Sequence, residues 1–162
     1  MPAPTLNQIR TAIAAKLLAV DATLLVHEYE RYTKRMDELL ELYVSGDAGD
    51  KRVHGYHIRR SATREILIDT DRWAIYHAWR IRGFLGMDDA AATEKLFDTE
   101  IEALRDAFRA DDTLGGLVFS LSPVGSEDQG EIGMQVLSSQ PVMFAGVLCH
   151  SAELGLTTQH LI

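Results

Sequence analysis

The chain has 162 residues, of which 46% are hydrophobic, and a formal net charge of −8. This length fits one domain, and the hydrophobic content is enough to fill its core, which excludes a disordered chain. The single cysteine, Cys149, excludes an intrachain disulfide and a multi-cysteine zinc site, and its apolar neighbours predict a buried small residue. The acidic balance makes the chain a poor candidate for general nucleic-acid binding.

Positive and negative charges are distributed unevenly along the chain. Residues 1–109 carry all 16 Lys and Arg together with 18 Asp and Glu, whereas residues 110–162 carry 6 acidic residues and no Lys or Arg. The basic region of one copy could therefore meet the acidic region of another. Uneven solvation of a single subunit explains the same pattern equally well.

The first residues lack the basic and apolar segments of a signal peptide. The longest apolar run, residues 141–149, is shorter than the about 20 residues that a membrane-spanning helix needs. We therefore expect a soluble protein made in the cytosol.

The N-terminal third predicts two helices, one strand and a loop. Thr5 and Gln8 have the spacing of a capping box, in which the two side chains satisfy first-turn amides. The segment 45–51 is small, polar and glycine-containing, so we expect a mobile loop there. The predicted order is a helix over 5–20, a strand over 23–29, a short helix within 31–44 and then this loop.

Two strands are predicted next, over 53–62 and 66–84, joined by residues 63–65, with a break of the second near 69–71 as an alternative. Alternation gives the second strand an apolar, core-facing side and an arginine-bearing side that is wet or meets a partner. The apolar side carries Trp73, Ile75, His77, Trp79 and Ile81, and the other side carries Arg72, Ala74, Tyr76, Ala78, Arg80 and Arg82.

The C-terminal half predicts a second main helix and further strands. Asp88 would cap the helix, which buries one stripe of apolar residues. Two antiparallel strands over 132–137 and 142–150 would surround a turn at 138–141. The stripe consists of Leu96, Phe97, Ile101, Leu104 and Phe108.

The order of elements predicts the α+β class, with a mostly antiparallel sheet of four to six strands and two main helices packed on one face. Residues 1–151 form a single domain in this prediction, because no internal repeat or second-domain boundary is visible. Residues 152–162 have no clear periodicity and are predicted to form a C-terminal tail.

No residue pattern carries recognisable catalytic or metal-binding chemistry. His54 and His57 lie three apart on a predicted strand, so they face opposite sides and cannot easily share a metal. Motifs for a serine nucleophile, a phosphate cradle and a dinucleotide site are absent. His77, between apolar residues, is predicted to be a hydrogen-bonded core histidine. We expect no catalytic residue, no metal ligand, no cofactor and no enzymatic activity.

The order of elements and residue types carries one family resemblance. An amphipathic helix is followed by a strand and a variable loop over 26–50, a hairpin containing His54 to Arg60, and a long strand containing Trp73 to Ile81. The acidic helix 88–108 and a last pair of strands complete the pattern. Over residues 5–150 the chain thus resembles the tail terminator proteins of long-tailed bacteriophages, the lambda-type family and its relatives.

The resemblance implies a structural virion protein. Such proteins form a hexameric ring that caps the finished tail tube and joins it to the head connector, and this head-to-tail ring uses two different patches per subunit. The implied partners are further copies of the chain, the tail tube protein and head–tail connector proteins, with no membrane and no sequence-specific nucleic acid. The implied location is the tail or neck of a virion assembled in the host cytoplasm.

Two groups of contact residues are expected on this basis. The basic region after the first strand would contact the tail tube or the connector through Arg31, Lys34, Arg35, Tyr43 and Lys51. The arginine side of the long strand and the acidic helix would form subunit contacts through Arg72, Arg80, Arg82, Glu94 and Glu102.

Other functions stay open at this point. The chain could be a different neck or tail-completion protein. It could also be a small-ligand or peptide-binding α+β module with a pocket near Trp73, His77 and Trp79. The remaining alternative is a hydrolase that uses His77 or His57.

Overall fold

A six-stranded sheet with its two main helices on one face forms the fold. The computed structural model describes residues 2–47, 49–121 and 133–162. The elements are α1 (Leu6–Val20), β1 (Leu25–His27), α2 (Met36–Glu41), β2 (Val44–Ser45), β3 (Arg52–Asp69), β4 (Arg72–Gly86), α3 (Thr93–Ala110), β5 (Gln135–Phe144) and β6 (Val147–Leu161). The strand order is β1-β3-β4-β6-β5, with β2 also paired to β3. β1 pairs with β3 in parallel, and the other pairings of these strands are antiparallel. The predicted α+β class is confirmed.

α1 begins where the sequence predicts it. The Thr5 hydroxyl accepts a hydrogen bond from the Gln8 amide at 3.3 Å, and the Gln8 side-chain oxygen accepts one from the Thr5 amide at 2.8 Å. The capping box is therefore confirmed, and it satisfies two amides that a helix start leaves free. The helix buries Ile9, Ile13, Ala14 and Leu17 against the sheet and α3.

β3 and β4 form one long antiparallel hairpin that reverses at residues 70–71. The prediction of two strands joined by residues 63–65 is wrong, and the alternative break near 69–71 is the actual turn. The register shifts at Ser61, which is an extra residue on β3. A β-bulge of this kind interrupts the side-chain alternation, so one continuous strand looks like two in the sequence.

β6 lies between β4 and β5 in the sheet. The predicted tail over 152–162 is therefore wrong, because nearly all of this segment belongs to β6 and much of it is buried. The predicted turn at 138–141 is also wrong, since β5 continues through it and the chain reverses at 145–146. Ile132, where the first of these strands was expected to begin, lies outside the described residues.

The two faces of the sheet are unlike. On one face, Trp79 and Ile81 of β4 pack in the core with residues of α1 and α3. On the opposite face, Arg80 and Arg82 are only partly covered. The predicted division of β4 into an apolar and an arginine-bearing side holds for these four residues, whereas Trp73, near the hairpin turn, is 41% exposed.

α3 begins at Thr93, later than the sequence predicts. Asp88 accepts a hydrogen bond from the Ala91 amide and so caps the preceding turn, which makes the prediction of Asp88 as the helix cap wrong. The residue at the helix cap is Ala92, in the left-handed region with φ 51°. Of the predicted stripe, Leu96 is exposed, and the buried members are Phe97, Ile101, Leu104 and Phe108.

The segment 45–51 was predicted as a mobile loop. Its first residue, Ser45, belongs to β2 and pairs with Arg52. Ala48 lies outside the described residues, and the mobility of the loop stays a prediction. Cys149 is fully buried, as predicted, and burial raises the pKa of its thiol to about 11.

Gly83 on β4 makes room for the side chain that connects the sheet to α3. Tyr56 of β3 lies directly opposite Gly83, and a Cβ at position 83 would stand 2.2 Å from the Tyr56 ring. Tyr56 is fully buried and its hydroxyl donates a hydrogen bond to Glu100 of α3. Any side chain at position 83 would displace this ring.

We expect Gly83→Ala to lower the free energy of unfolding by about 1–3 kcal/mol, because the Tyr56 ring or the strand must move. Urea denaturation followed by tryptophan fluorescence measures this change. Gly49→Ala is the control, since a Cβ there meets nothing within 4 Å, and its effect should stay within about 0.5 kcal/mol. A Gly83→Ala protein as stable as the wild type would contradict the role of Gly83.

Candidate interaction surface

A charged trough crosses the open face of the sheet. Alternation brings side chains of β3, β4 and β6 to the same face, and the segment after β1 closes one side. The trough has a volume of about 290 Å³. It is lined by Glu30, His57, Arg59, Ser61, Arg80, Arg82 and Glu153. Three of these seven residues are arginines, so the trough is a candidate site for negatively charged groups.

Two of the arginines are partly neutralised. Arg59 and Arg80 lie directly opposite each other on β3 and β4, and like charges in this position repel. Arg59 Nη1 is 3.7 Å from a Glu30 carboxylate oxygen, and Arg80 Nε is 3.3 Å from Glu153. Both pairs are largely exposed, so each is worth at most about 1 kcal/mol.

Arg82 has no such compensation. Its Nε donates a hydrogen bond to the Ser151 hydroxyl at 3.3 Å, and its guanidinium carbon lies 5.2 Å from the centre of the Phe84 ring. No carboxylate of the described residues forms an ion pair with it. Contact with Phe84 and Ser151 restricts the side chain, so Arg82 presents its positive charge in the trough at a fixed position.

An aromatic cluster adjoins the trough beneath α2 and β2. The rings of Phe84 and Phe144 stack at 4.2 Å, and Tyr43 packs edge-on against both. The Tyr43 hydroxyl lies 3.0 Å from Nδ1 of His57. Tyr43 is only 1% exposed, and burial raises its pKa to about 12. Tyr43 is therefore a core residue that holds α2 on the sheet, and its expected role as a surface contact is wrong.

The other residues expected to contact the tube or connector are at least partly exposed. Lys34, Arg35 and Lys51 are exposed, while Arg31 is half-buried, with its guanidinium carbon 5.3 Å from the centre of the Tyr29 ring. Arg35 forms an ion pair with Asp37 at 2.7 Å. The contacts expected of these four residues stay predictions.

The residues expected to form subunit contacts fall into three places. Arg80 and Arg82 lie together in the trough, whereas Arg72 lies at the far end of the hairpin, where it forms an ion pair with Asp69. Glu94 and Glu102 lie on α3, on the other side of the sheet. The structure therefore separates the arginine group from the acidic group.

Sequence reasoning missed the three other charged residues of the trough, Glu30, Arg59 and Glu153. Arg59 lies just before the bulge at Ser61, which interrupts the side-chain alternation that would assign the residue to a face of the sheet. Glu153 lies within the segment that was predicted to be a C-terminal tail. Glu30 and Arg59 are close enough in the fold to pair, which no short sequence motif indicates.

Of the three residues of the predicted pocket, Trp73, His77 and Trp79, the last two are buried. Trp79 is fully buried and its indole N–H donates to the Thr158 hydroxyl at 3.0 Å, so it is a core residue. His77 is 7% exposed, and its Nδ1 lies 2.9 Å from the Thr63 hydroxyl. A nucleophilic site also places a hydroxyl beside an imidazole, but it needs a further group that orients the imidazole. The rings beside His77 are those of Trp79 and His160.

His54 and His57 point to opposite faces, as predicted. His54 Nε2 lies 2.6 Å from a Glu100 carboxylate oxygen on α3, whereas His57 contacts Tyr43 on the open face. Glu100 thus receives contacts from both His54 and Tyr56 and attaches α3 to β3. Among the described residues, no three His, Cys, Asp or Glu side chains come together as metal ligands.

Three buried histidines, His57, His77 and His160, make stability depend on pH, because burial lowers the pKa of each. Burial lowers the pKa of both His57 and His77 to about 4, while the unfolded value is about 6.5. Between these values the unfolded chain binds more protons than the folded one. The stability that the neutral rings provide is therefore complete above pH 6.5 and is lost as the pH falls toward 4.

We expect the free energy of unfolding to fall between pH 6.5 and 4, by up to about 1.4 kcal/mol per pH unit for each histidine. Urea denaturation at half-unit pH steps measures the slope. His77→Gln and His57→Gln should each reduce this slope by the contribution of one proton, about 1.4 kcal/mol per pH unit at most. This reduction is expected whatever each substitution does to the free energy of unfolding at pH 7. A profile that is flat over this range in the wild type would contradict the burial of neutral rings.

Comparison with known proteins adds no family assignment. No protein-family model matches the chain, and no curated protein matches it. None of the helices in the described ranges combines the length and the apolar character that crossing a membrane requires.

Proposed function

We propose that this chain is a tail terminator of a long-tailed bacteriophage, a structural subunit that forms a ring on the end of the tail tube. The observation that carries the proposal is the presence of two unlike charged surfaces on opposite sides of the sheet. The trough lies on one side and the acidic helix α3 on the other. A subunit of a head-to-tail ring needs two different patches of this kind.

Features of the sheet edges support contacts through side chains. On β3 the extra residues at Ser61 and Ile68 shift the register, and β5 contains Pro141, which lacks an N–H donor. Bulges and proline at an edge disfavour the addition of another strand. Neighbouring subunits would therefore meet through surfaces such as the trough, and less readily through a continued sheet.

An apolar row near the hairpin turn is a candidate contact with a different partner. Leu67 lies opposite Trp73, and Trp73 exchanges backbone hydrogen bonds with Ile162, so the three side chains are neighbours across three strands. They are 51%, 41% and 52% exposed, respectively. Adjacent exposed apolar side chains mark interaction sites more often than isolated ones do. This row would suit the tail tube or the connector.

Native mass spectrometry and electron microscopy test the proposed function. We expect a closed ring, with six subunits as the leading stoichiometry, either free in solution or on the ends of tail tubes from the particle that encodes the chain. A ring found only on the tubes would still support the proposal. A protein that stays monomeric at high concentration and does not bind tube ends would overturn it.

A further inference from the structure

Two rows of like charge lie on opposite sides of the molecule. In the trough, Arg80 and Arg82 occupy alternate positions of β4, so their backbone positions are about 6.6 Å apart. Arg59 lies opposite Arg80 on the neighbouring strand. Repulsion within this arginine row is relieved only in part, by Glu30 and Glu153.

The second row consists of Glu94, Asp98 and Glu102 on α3. These residues are spaced by four positions, which places them on one side of the helix about 6 Å apart along its axis. All three are exposed. Glu102 forms an ion pair with Arg105 at 2.8 Å, whereas neither Glu94 nor Asp98 has an ion-pair partner among the described residues. Like charges at this spacing destabilise an isolated helix.

The two rows match each other in sign and in spacing. Along the helix axis, the backbone positions of neighbouring acidic residues are about 6 Å apart, and those of Arg80 and Arg82 along the strand are about 6.6 Å apart. Asp98, the central carboxylate, and Arg82 each lack an ion-pair partner in the described part of the chain. Contact between the rows would neutralise both charges and relieve repulsion within each row.

The two rows cannot meet within one subunit. α3 packs through Phe97, Ile101 and Leu104 on the helix-covered face, while Arg82 and Arg80 lie on the open face. The full thickness of the sheet separates them. The complementary surface for the arginine row must therefore come from another molecule, and a second copy of this chain carries one.

We propose that the arginine row of one subunit binds the acidic row of α3 from the next subunit, with Asp98 next to Arg82. This inference rests on the proposed ring and identifies its subunit interface. The contact is head-to-tail, because each copy uses its trough on one side and its α3 on the other. Since the groups are partly exposed, their attraction is screened by salt.

Charge reversal tests the interface. The variants are Arg80→Glu with Arg82→Glu, Glu94→Arg with Asp98→Arg, and the chain that carries all four changes. Self-association is measured by sedimentation velocity and native mass spectrometry at 50 mM and 500 mM salt. We expect each double variant to weaken association at least about tenfold, and the fourfold variant to recover it, because the charges are exchanged. Wild-type association should weaken at the higher salt.

Controls separate this interface from general effects of charge. Arg52→Glu with Asp50→Arg exchanges the charges of an exposed ion pair outside both rows and should associate like the wild type. Thermal unfolding shows whether each variant is folded. Arg82→Gln removes the charge without reversing it, and it should weaken association less than Arg80→Glu with Arg82→Glu does.

The outcomes distinguish the interface from the ring. Wild-type association that both double variants retain would overturn the proposed interface while leaving the ring intact. A wild-type protein that self-associates neither at low salt nor on tube ends would overturn both proposals. Where rings form only on tube ends, the variants are compared there by electron microscopy, and rings formed by both double variants would overturn the interface. Loss in both double variants with recovery in the fourfold variant supports the inference.

Discussion

The register of β4 is the constraint on which the rest of the structure depends. β4 is paired with β3 on one side and with β6 on the other along nearly its whole length. A shift by one residue would exchange Trp79 and Ile81 with Arg80 and Arg82. The guanidinium groups would then lie under the helices, and the two apolar side chains would face water. Burial of the Trp79 side chain and its hydrogen bond to Thr158 oppose such a shift. The same pairing that forms the core therefore places the arginines on the open face.

The sequence predicts the elements whose signals are local. The Thr5–Gln8 capping box and the alternation along β4 depend on neighbours a few positions apart, and both appear in the structure. The course of β6 could not be predicted in this way, because its second half buries polar residues such as Thr158 and His160. A segment of this composition looks like a solvated tail until its partner strand is known.

In the candidate site too, the residues that could be predicted are those whose signals are local in the sequence. Arg80 and Arg82 were predicted to lie together because they share one strand, and the sequence also indicated the acidic character of α3. The contributions of Arg59 and Glu153 depend on the bulge in β3 and on the pairing of β6 with β4. Tyr43 was misassigned for a related reason. It lies in the segment whose basic residues predicted a surface contact, and only the fold brings Phe84 and Phe144 around its ring.

The bulges of β3 and the proline of β5 affect how readily the free chain aggregates. An open strand edge acts as a template for aggregation, and the risk rises with the concentration of the free chain. Ser61, Ile68 and Pro141 interrupt the two outer edges. These interruptions disfavour sheet-like polymerisation of the free chain, while the side-chain surfaces stay available for the proposed contacts between subunits.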